Sequence, residues 1–423
     1  SDRFRVDYSI NLKYDMPWDF YIKFDFSLNY DNQPAYIIRS NMSSSPYTAD
    51  WYNRVENPEE PWISVNNYNA IIPNILYGEN SNQTNLELLT GNGGMCVWVR
   101  DSQDVNNDYT TYELTTSNPL ECDILVVGGG GAGGYNGGGG GGGGGVGYLE
   151  NVTLNGNYRI KVGRGGFSSF NSSNYSQSGI SNGINSSIID LNDSNNLLEV
   201  AGGGSGSHDK DTSVGDSGNN GGSGGGAAQT QSTVGGVTGN TKSGLFSDTL
   251  LYGSSGKEGN IDFAGGGGGA GGDNTNVKSK DGAPGYKFSI TETEYYYAAG
   301  GGGGSTSKNG GKGGVGGGGG GGSLTNTGGV GGINGLKIYN SDTEKLEGGE
   351  GESGGSSGSA NGGSGAKNTG SGGGGAAQNS TSYLGGNGGS GVVIIKYKSI
   401  STTNREDLVS LPGIRDFSPG GIG

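Results

Sequence analysis

The sequence predicts an all-β protein in which an antiparallel β-sandwich scaffold carries an inserted bundle of polyglycine-II helices. Three observations support this prediction. Apolar residues fall into short alternating runs, no stretch has a convincing helical period, and several glycine tracts carry a non-glycine residue at every third position. Alternation with period two is typical of half-buried strands, and a period of three matches the polyproline-II geometry. The 423 residues include 97 glycines but only 30% hydrophobic residues.

Residues 1–115 are predicted to form an N-terminal β-sandwich domain. This region contains all four tryptophans and almost no glycine runs. Apolar and polar residues alternate in Phe4–Leu12 and again in Phe20–Leu28, and Met95–Arg100 reads as a further strand. Such runs indicate strands with one face buried.

Residues 116–398 are predicted to form a glycine-rich β domain, and residues 399–423 a polar C-terminal tail. Strands are expected at Cys122–Val127 and on both sides of Asn155-Gly156, a pair that favours a hairpin turn because both turn residues tolerate positive φ. A second hairpin and three further strands complete the predicted sheets: Ser187–Leu191 with Leu197–Val200, then Tyr286–Ile290, Leu336–Tyr339 and Val392–Tyr397.

The glycine tracts have a period that predicts their packing. Every third residue is not glycine in the tracts that contain Lys312 and Val315, Val330 and Ile333, and Asn387. One edge of each three-residue-per-turn helix then carries side chains, and the other two edges are bare backbone that neighbouring helices can approach. The nine glycines Gly137–Gly145 would span about 28 Å at the polyproline-II rise.

The tracts are not expected to become ordered by themselves. Fixing each backbone costs roughly 1–2 kcal/mol, whereas a lateral hydrogen bond returns only about 0.5–1.5 kcal/mol. Glycine adds no apolar side chain that would offset this cost. We therefore expect the interleaved strands to hold both ends of each tract.

The two ends of the glycine-rich region resemble a known domain family. The segment Asp123–Gly134 opens the region and Gly388–Tyr397 closes it. Both resemble the glycine-rich domain of surface and fibre proteins of large DNA viruses of algae and protists, of phage tail-fibre adhesins, and of the extracellular part of the anaplastic lymphoma kinase receptor. The resemblance covers about residues 116–398. It implies glycine helices on a β-sandwich or jelly-roll frame, tip loops that bind hosts in the phage proteins, and no catalytic residues.

Charge and hydropathy argue against two classes of partner. Acidic residues outnumber basic residues by 40 to 25, which gives a formal net charge of −15. Nucleic-acid binding needs a basic surface that displaces counterions from phosphates, so no nucleic-acid partner is expected. No apolar run approaches the roughly 20 residues that span a bilayer, so no membrane insertion is expected.

Cysteines and sequons leave modification open. Cys96 and Cys122 either form one disulfide bond in an oxidising compartment or remain two buried thiols. Eight Asn-x-Ser/Thr sequons permit N-glycosylation, although an Asn-, Ser- and Thr-rich chain would contain about that many by chance. They begin at Asn41, Asn82, Asn151, Asn171, Asn174, Asn185, Asn192 and Asn379.

Several patterns that suggest other chemistry fail on inspection. Gly128-x-Gly130-x-x-Gly133 matches a dinucleotide fingerprint, but the glycines that follow oppose the required helix. His208 is the only histidine and lies in a polar stretch, so neither a catalytic triad nor a zinc site is expected. Asp104–Asp108 lacks the glycine and glutamate of a calcium loop, which favours a solvated turn. No enzyme activity, cofactor or metal is expected.

The sequence therefore predicts an extracellular or virion-surface protein that works as a structural subunit of a fibre, appendage or surface layer. Self-assembly or contact with other structural subunits is expected. The alternative is an adhesin that displays loops on the glycine bundle and binds a host glycan or receptor.

Overall fold

The computed structural model describes most of the glycine-rich region and parts of the N-terminal region. The described residues are 19–24, 36–41, 83–85, 94–100, 107–169, 179–192, 196–208, 217–229, 236, 250–272, 278–291, 293–340, 345–356, 358–378 and 383–397. They form strands, turns and extended segments and contain no helix, so the predicted all-β class is confirmed for them. The run Phe4–Leu12 and the tail 399–423 lie outside the described residues.

Sixteen strands are present in the described part of the chain. They are β1 Asp19–Phe24, β2 Tyr36–Asn41, β3 Gln83–Asn85, β4 Gly94–Val99, β5 Tyr109–Val127, β6 Val146–Gly163, β7 Ser168–Ser169, β8 Gly179–Ile180, β9 Ser186–Asp190, β10 Asn196–Val200, β11 Leu250–Tyr252, β12 Tyr286–Phe288, β13 Tyr295–Tyr297, β14 Ile338–Asn340, β15 Lys345–Glu347 and β16 Val392–Tyr397.

The main sheet has eight strands and is antiparallel apart from one short edge pairing. Its path runs β10-β9-β6-β5-β16-β4, β11 pairs with β6, and β3 pairs with β5 in parallel. Strand β5 runs without interruption through residues 115 and 116, and β4 pairs along its whole length with β16. The sheet therefore draws strands from both sides of residue 116. The predicted hairpin at residues 187–200 is confirmed as β9 and β10.

Both faces of the central strands are buried, as β16 shows. Val393 and Ile395 lie in one hydrophobic cluster with Ile124 and Ile160, whereas Val392 and Ile394 lie in a second cluster. Alternate side chains of a strand point to opposite faces, so the two clusters cover the two sides of the sheet. This explains why the strand is a continuous apolar run rather than an alternating one.

The hairpin predicted at Asn155-Gly156 is wrong, because β6 continues straight through it. Gly156 has φ 131° and lies beside Thr116 at a register shift between β5 and β6. Its N–H donates to the Thr116 hydroxyl at 2.9 Å, and the Asn155 N–H donates to the Tyr158 hydroxyl at 2.8 Å. An Asn-Gly pair supplies backbone freedom that a β-bulge uses as readily as a turn. Here the pairing of β6 along the long strand β5 selects the β-bulge over the turn.

The remaining strands form four small two-stranded sheets. These are β1–β2, β7–β8, β12–β13 and β14–β15, all antiparallel. The strands predicted near residues 286 and 336 are present, but they pair outside the main sheet. In β13, part of the Tyr-rich run, Tyr297 is fully buried while Tyr295 and Tyr296 are half-buried.

Candidate functional site

The glycine segments continue directly from strands of the main sheet. Residues 128–134 follow β5, residues 137–145 lead into β6, residues 201–207 follow β10, and residues 384–391 lead into β16. Because β5 and β6 are paired as far as Val127 and Val146, the first two segments leave the sheet side by side. The sheet therefore fixes one end of each segment, as the entropy cost of ordering glycine requires.

Backbone hydrogen bonds tie residues 128–134 to three neighbours in rotation. Successive N–H groups donate to residues 139–145, then to residues 181–184, then to residues 386–389, and the cycle repeats after three residues. Seven donors follow this order at 2.8–3.2 Å: Gly128, Gly131 and Gly134 to the first neighbour, Gly129 and Ala132 to the second, and Gly130 and Gly133 to the third. In a β-sheet, the backbone groups of a strand pair within the plane of the sheet. In this segment, they pair in three directions.

Residues 137–145 are surrounded by other segments on every side. Their N–H groups donate to residues 201–207, 265–268 and 370–376, and their carbonyls accept from residues 128–134, 223–226 and 301–304. All nine glycines are buried. A Cβ atom added to Gly141 would lie 2.1 Å from the Gly131 carbonyl oxygen, and one added to Gly140 would lie 2.0 Å from that of Gly301. Only glycine fits a position with backbone on all sides.

Tracts with a side chain at every third position lie at the surface. Lys312 and Val315 in one tract, and Val330 and Ile333 in another, are exposed, whereas Gly314 and Gly332 between them are buried. The two tracts run side by side, since the N–H groups of Gly310, Gly313 and Gly316 donate to the carbonyls of Thr327, Val330 and Ile333. In these two tracts, the side chains at every third position therefore face outward.

We call these packed glycine segments the glycine body, and the end of it away from the sheet the tip. At the tip, polar side chains join the turns to one another. Residues 135–137 form one such turn, in which Asn136 and Gly137 have φ 49° and 70°. Gln229 accepts from the Thr306 N–H at 3.1 Å and donates to the Ile261 carbonyl at 2.9 Å, which links three turns. The His208 ring lies 4.4 Å from the ring of Tyr135. His208 is thus placed beside an aromatic ring at the tip.

An aromatic cluster joins the small sheet β12–β13 to the main sheet. The rings of Tyr252 and Tyr286 lie 3.9 Å apart, and those of Tyr148 and Phe288 lie 5.3 Å apart. Burial, followed by the charges of Asp123 and Glu150, raises the pKa of Tyr148 to about 12. Burial and the hydrogen bond with Tyr286 raise the pKa of Tyr252 to about 12. The fold therefore favours neutral phenols here.

Stability is expected to fall as the pH rises above about 10. Unfolded tyrosines lose their protons near pH 10, whereas Tyr148 and Tyr252 keep theirs until about pH 12. Between these values the unfolded state binds fewer protons, so the free energy of unfolding decreases with pH. Denaturant unfolding measured from pH 8 to 11.5 checks this, and Tyr148→Phe should flatten the slope. An unchanged slope in that variant would contradict the assignment.

The cysteines occupy strands that are not adjacent. Strand β16 lies between β4, which carries Cys96, and β5, which carries Cys122, and Ile395 pairs with Cys96 while Tyr397 pairs with Cys122. Neighbouring strands are about 4.8 Å apart. The Cα atoms of Cys96 and Cys122, which lie two strands apart, are therefore farther from each other than the Cα separation of a disulfide bond, about 4.4–6.8 Å. Cys122 is a buried thiol that donates to the Leu120 carbonyl at 3.3 Å. Of the two alternatives, this geometry favours thiols.

We expect Cys122 to be alkylated only after unfolding, and without any reductant. Its side chain is fully buried, so the native protein should protect it. Mass spectrometry after iodoacetamide treatment, with and without denaturant, checks this. Alkylation of Cys122 that requires prior reduction would show that it is disulfide-bonded.

Three sequons lie where the surroundings of the asparagine are described. Asn151 is exposed at a β-bulge with φ 53°, and Asn192 is exposed in a turn. The Asn185 amide is already occupied, since it donates to Glu199 at 2.7 Å and accepts from the Gly202 N–H at 3.0 Å. Asn41 lies in β2. The sequons at Asn82, Asn171, Asn174 and Asn379 lie outside the described residues.

The patterns rejected in the sequence have simple structural roles where they are described. Gly128–Gly133 is extended and leads into no helix. Asp108 accepts from the Arg164 guanidinium at 2.9 Å, while Asp104 lies outside the described residues. In the described part of the chain, no three His, Cys, Asp or Glu side chains come together as they would around a metal ion. The same residues include no helix long and apolar enough to cross a membrane.

Comparison with known proteins agrees with the glycine-rich architecture. The model of a glycine-rich domain family matches residues 105–351, which is more than half of the chain. No curated protein matches the chain significantly. The matched residues include β5, β6 and the buried nine-glycine segment, whose backbone contacts exclude side chains. On this match, the protein belongs to the glycine-rich domain family.

Proposed function

We propose that this protein is a structural subunit of an extracellular or virion-surface fibre, appendage or surface layer. Its rigid part is a bundle of polyglycine-II helices held by a β-sandwich or jelly-roll scaffold. The observation that carries the proposal is the buried segment Gly137–Gly145, whose backbone bonds to six neighbouring segments. A body cross-linked in this way resists bending in every direction normal to its segments, which suits a load-bearing element.

The hydrogen-bond cycle supports the polyglycine-II assignment. Donors in residues 128–134 return to the same neighbour after three residues. A helix with three residues per turn presents its backbone groups at such intervals, and it makes no internal hydrogen bonds. Lateral partners then satisfy the buried backbone groups, as a folded protein requires.

The proposed role is mechanical and not enzymatic, and it involves self-assembly or other structural subunits. Light scattering combined with negative-stain imaging of the purified full-length chain tests it. Filaments, sheets or capsid-like particles are the expected result. A discrete particle that does not assemble at any concentration or salt level would overturn the structural role.

The tip of the glycine body favours a second candidate, an adhesin for a host glycan or receptor. At the end opposite the sheet, the turns joined by Gln229 display the 68%-exposed Ile261. The neighbouring turn displays the exposed Thr325, whose hydroxyl donates to the Thr306 carbonyl. Glycan-array binding of the full-length protein tests this alternative, with Ile261→Asp as the tip variant. Binding that the tip variant loses would favour the adhesin, whereas no binding on a broad array would count against it.

A further inference from the structure

A pocket of about 370 Å³ lies where the main sheet meets the glycine body. Its floor is a row across three adjacent strands, in which Lys161 of β6 pairs with Ser187 of β9, and Ser187 pairs with Glu199 of β10. The preceding residue in β6, Ile160, and the following residue in β9, Ile188, are buried in the hydrophobic cluster on the other side of the sheet. Lys161 and Ser187 therefore point away from that cluster. Because the Ser187 side chain is short, it leaves a gap between the two longer side chains.

β5 and the glycine body supply the walls of this pocket. Tyr109 of β5 contributes a ring that is 39% exposed, and residues 183–185 reach the pocket from the glycine body. The Asn185 amide donates to the Glu199 carboxylate at 2.7 Å and accepts from the Gly202 N–H at 3.0 Å. These two hydrogen bonds hold the Asn185 and Glu199 side chains in place, so this polar wall is already formed without a ligand.

Lys161 brings a positive charge to the pocket that no described carboxylate compensates. Its ammonium lies 4.5 Å from the centroid of the Tyr109 ring. Two residues earlier in the same strand, the Arg159 guanidinium lies 3.6 Å from the Glu113 carboxylate, so that cation already has an acidic neighbour. In a chain with a net charge of −15, a pocket lysine without an acidic partner provides charge complementarity for an anionic ligand.

We propose that this pocket binds a sugar acid, that is, a pyranose ring that carries a carboxylate. The ligand carboxylate pairs with the Lys161 ammonium, and the ring hydroxyls bond to the Asn185 amide and donate to Glu199. A carboxylate has about four acceptor sites, so Glu199 can accept from a hydroxyl as well as from Asn185. The C–H bonds of the sugar lie against the exposed part of the Tyr109 ring, whose negative face attracts their partial positive charge.

The size of the pocket and the spacing of its charges favour a sugar acid over other small anions. The volume is at the small end of the range for ligand pockets, about 300–1,000 Å³, which suits a single ring. The backbones of Lys161 and Glu199 are two strand separations apart, roughly 10 Å. The ammonium and carboxylate of a free amino acid share one carbon atom, so they are too close together to pair with both walls. A phosphate dianion would face one lysine and be repelled by Glu199.

NMR titration of the full-length chain with methyl glycosides of glucuronic, galacturonic and N-acetylneuraminic acid tests the site. Each acid is compared with its carboxamide, which keeps the shape but lacks the charge. At least one acid should bind, and its carboxamide should bind about ten-fold more weakly. Lys161→Met should weaken binding of the acid about ten-fold without affecting the carboxamide, whereas Tyr109→Ala should weaken both about three- to ten-fold. Lys312→Met is the matched control, because it removes an exposed lysine outside the pocket.

Further variants and a glycan array separate this site from the alternatives. If a variant of Lys161 fails to fold, as thermal unfolding would show, Lys161→Arg retains the charge and should retain the preference for the acid. An array of glycans that end in the same acids identifies the source: binding to the array alone indicates the terminal residue of a chain, and binding of the free glycosides indicates a soluble ligand.

The inference does not rest on self-assembly, and three results would overturn it. One is acid binding that Lys161→Met leaves unchanged and Ile261→Asp abolishes, which would place the binding at the tip. The second is equal affinity for an acid and its carboxamide. The third is an absence of binding both to the free glycosides and to the array. None of these results would change whether the full-length chain assembles, so the structural role is tested separately.

Discussion

Gly141→Ala is expected to lower the free energy of unfolding by roughly 3–6 kcal/mol. The new Cβ would lie 2.1 Å from the Gly131 carbonyl oxygen and 2.7 Å from its carbon, so two backbone segments must move apart. Overpacking costs about 1–3 kcal/mol, and each buried backbone group left without its hydrogen bond costs about 1–3 kcal/mol. The side chain gained is one methyl group, which offsets little of this.

Chemical denaturation monitored by tyrosine fluorescence measures the effect. Gly358→Ala is the matched control, because nothing lies within 4 Å of its Cβ position and only its φ of 94° opposes the change. The control should lose about 1–2 kcal/mol, the cost of a left-handed conformation. Equal losses in the two variants would show that the close packing around Gly141 does not limit stability.

The sequence predicts that the period-three tracts carry side chains on one edge and leave two edges bare, and the structure adds that their side chains lie at the surface. Uninterrupted glycine runs carry a related signal. Gly137–Gly145, Gly300–Gly304 and Gly316–Gly322 are all buried, since a segment with neighbours on all sides has room for no side chain. Tracts with a non-glycine residue at every third position therefore lie on the outside, and uninterrupted glycine runs lie inside.

Which tract neighbours which could not be predicted from the sequence. Gly130 donates to Gly389 and Gly141 donates to Gly373, yet no side chain at these positions distinguishes one glycine from another. The pairing is set by the strands that deliver each tract, and the order of β16 between β4 and β5 depends on non-local contacts. The error at Asn155-Gly156 has the same cause, because a local turn preference yields to pairing along the 19-residue strand β5.

If the strands hold the glycine tracts in place, weakening the sheet should loosen the glycine body by the same free energy. Ile394 in β16 is fully buried in the cluster that includes Val127, Val146 and Tyr297. Val127 is the last residue of β5 before segment 128–134, and Val146 is the first residue of β6 after segment 137–145. Ile394→Ala should therefore lower the free energy of unfolding by about 2–5 kcal/mol, the usual cost of a buried Ile-to-Ala change.

Hydrogen exchange resolves whether that loss reaches the glycine body. The Gly141 N–H, bonded to the Gly373 carbonyl at 2.8 Å, should lose protection equivalent to the whole change in unfolding free energy. Ile261→Ala is the control: its side chain is 68% exposed, so the change should be within about 0.5 kcal/mol. Full protection at Gly141 in a protein destabilised at Ile394 would mean that the glycine segments keep their order independently of the sheet. The backbone entropy argument predicts the opposite, because glycine segments have no core of their own and depend on strands that do.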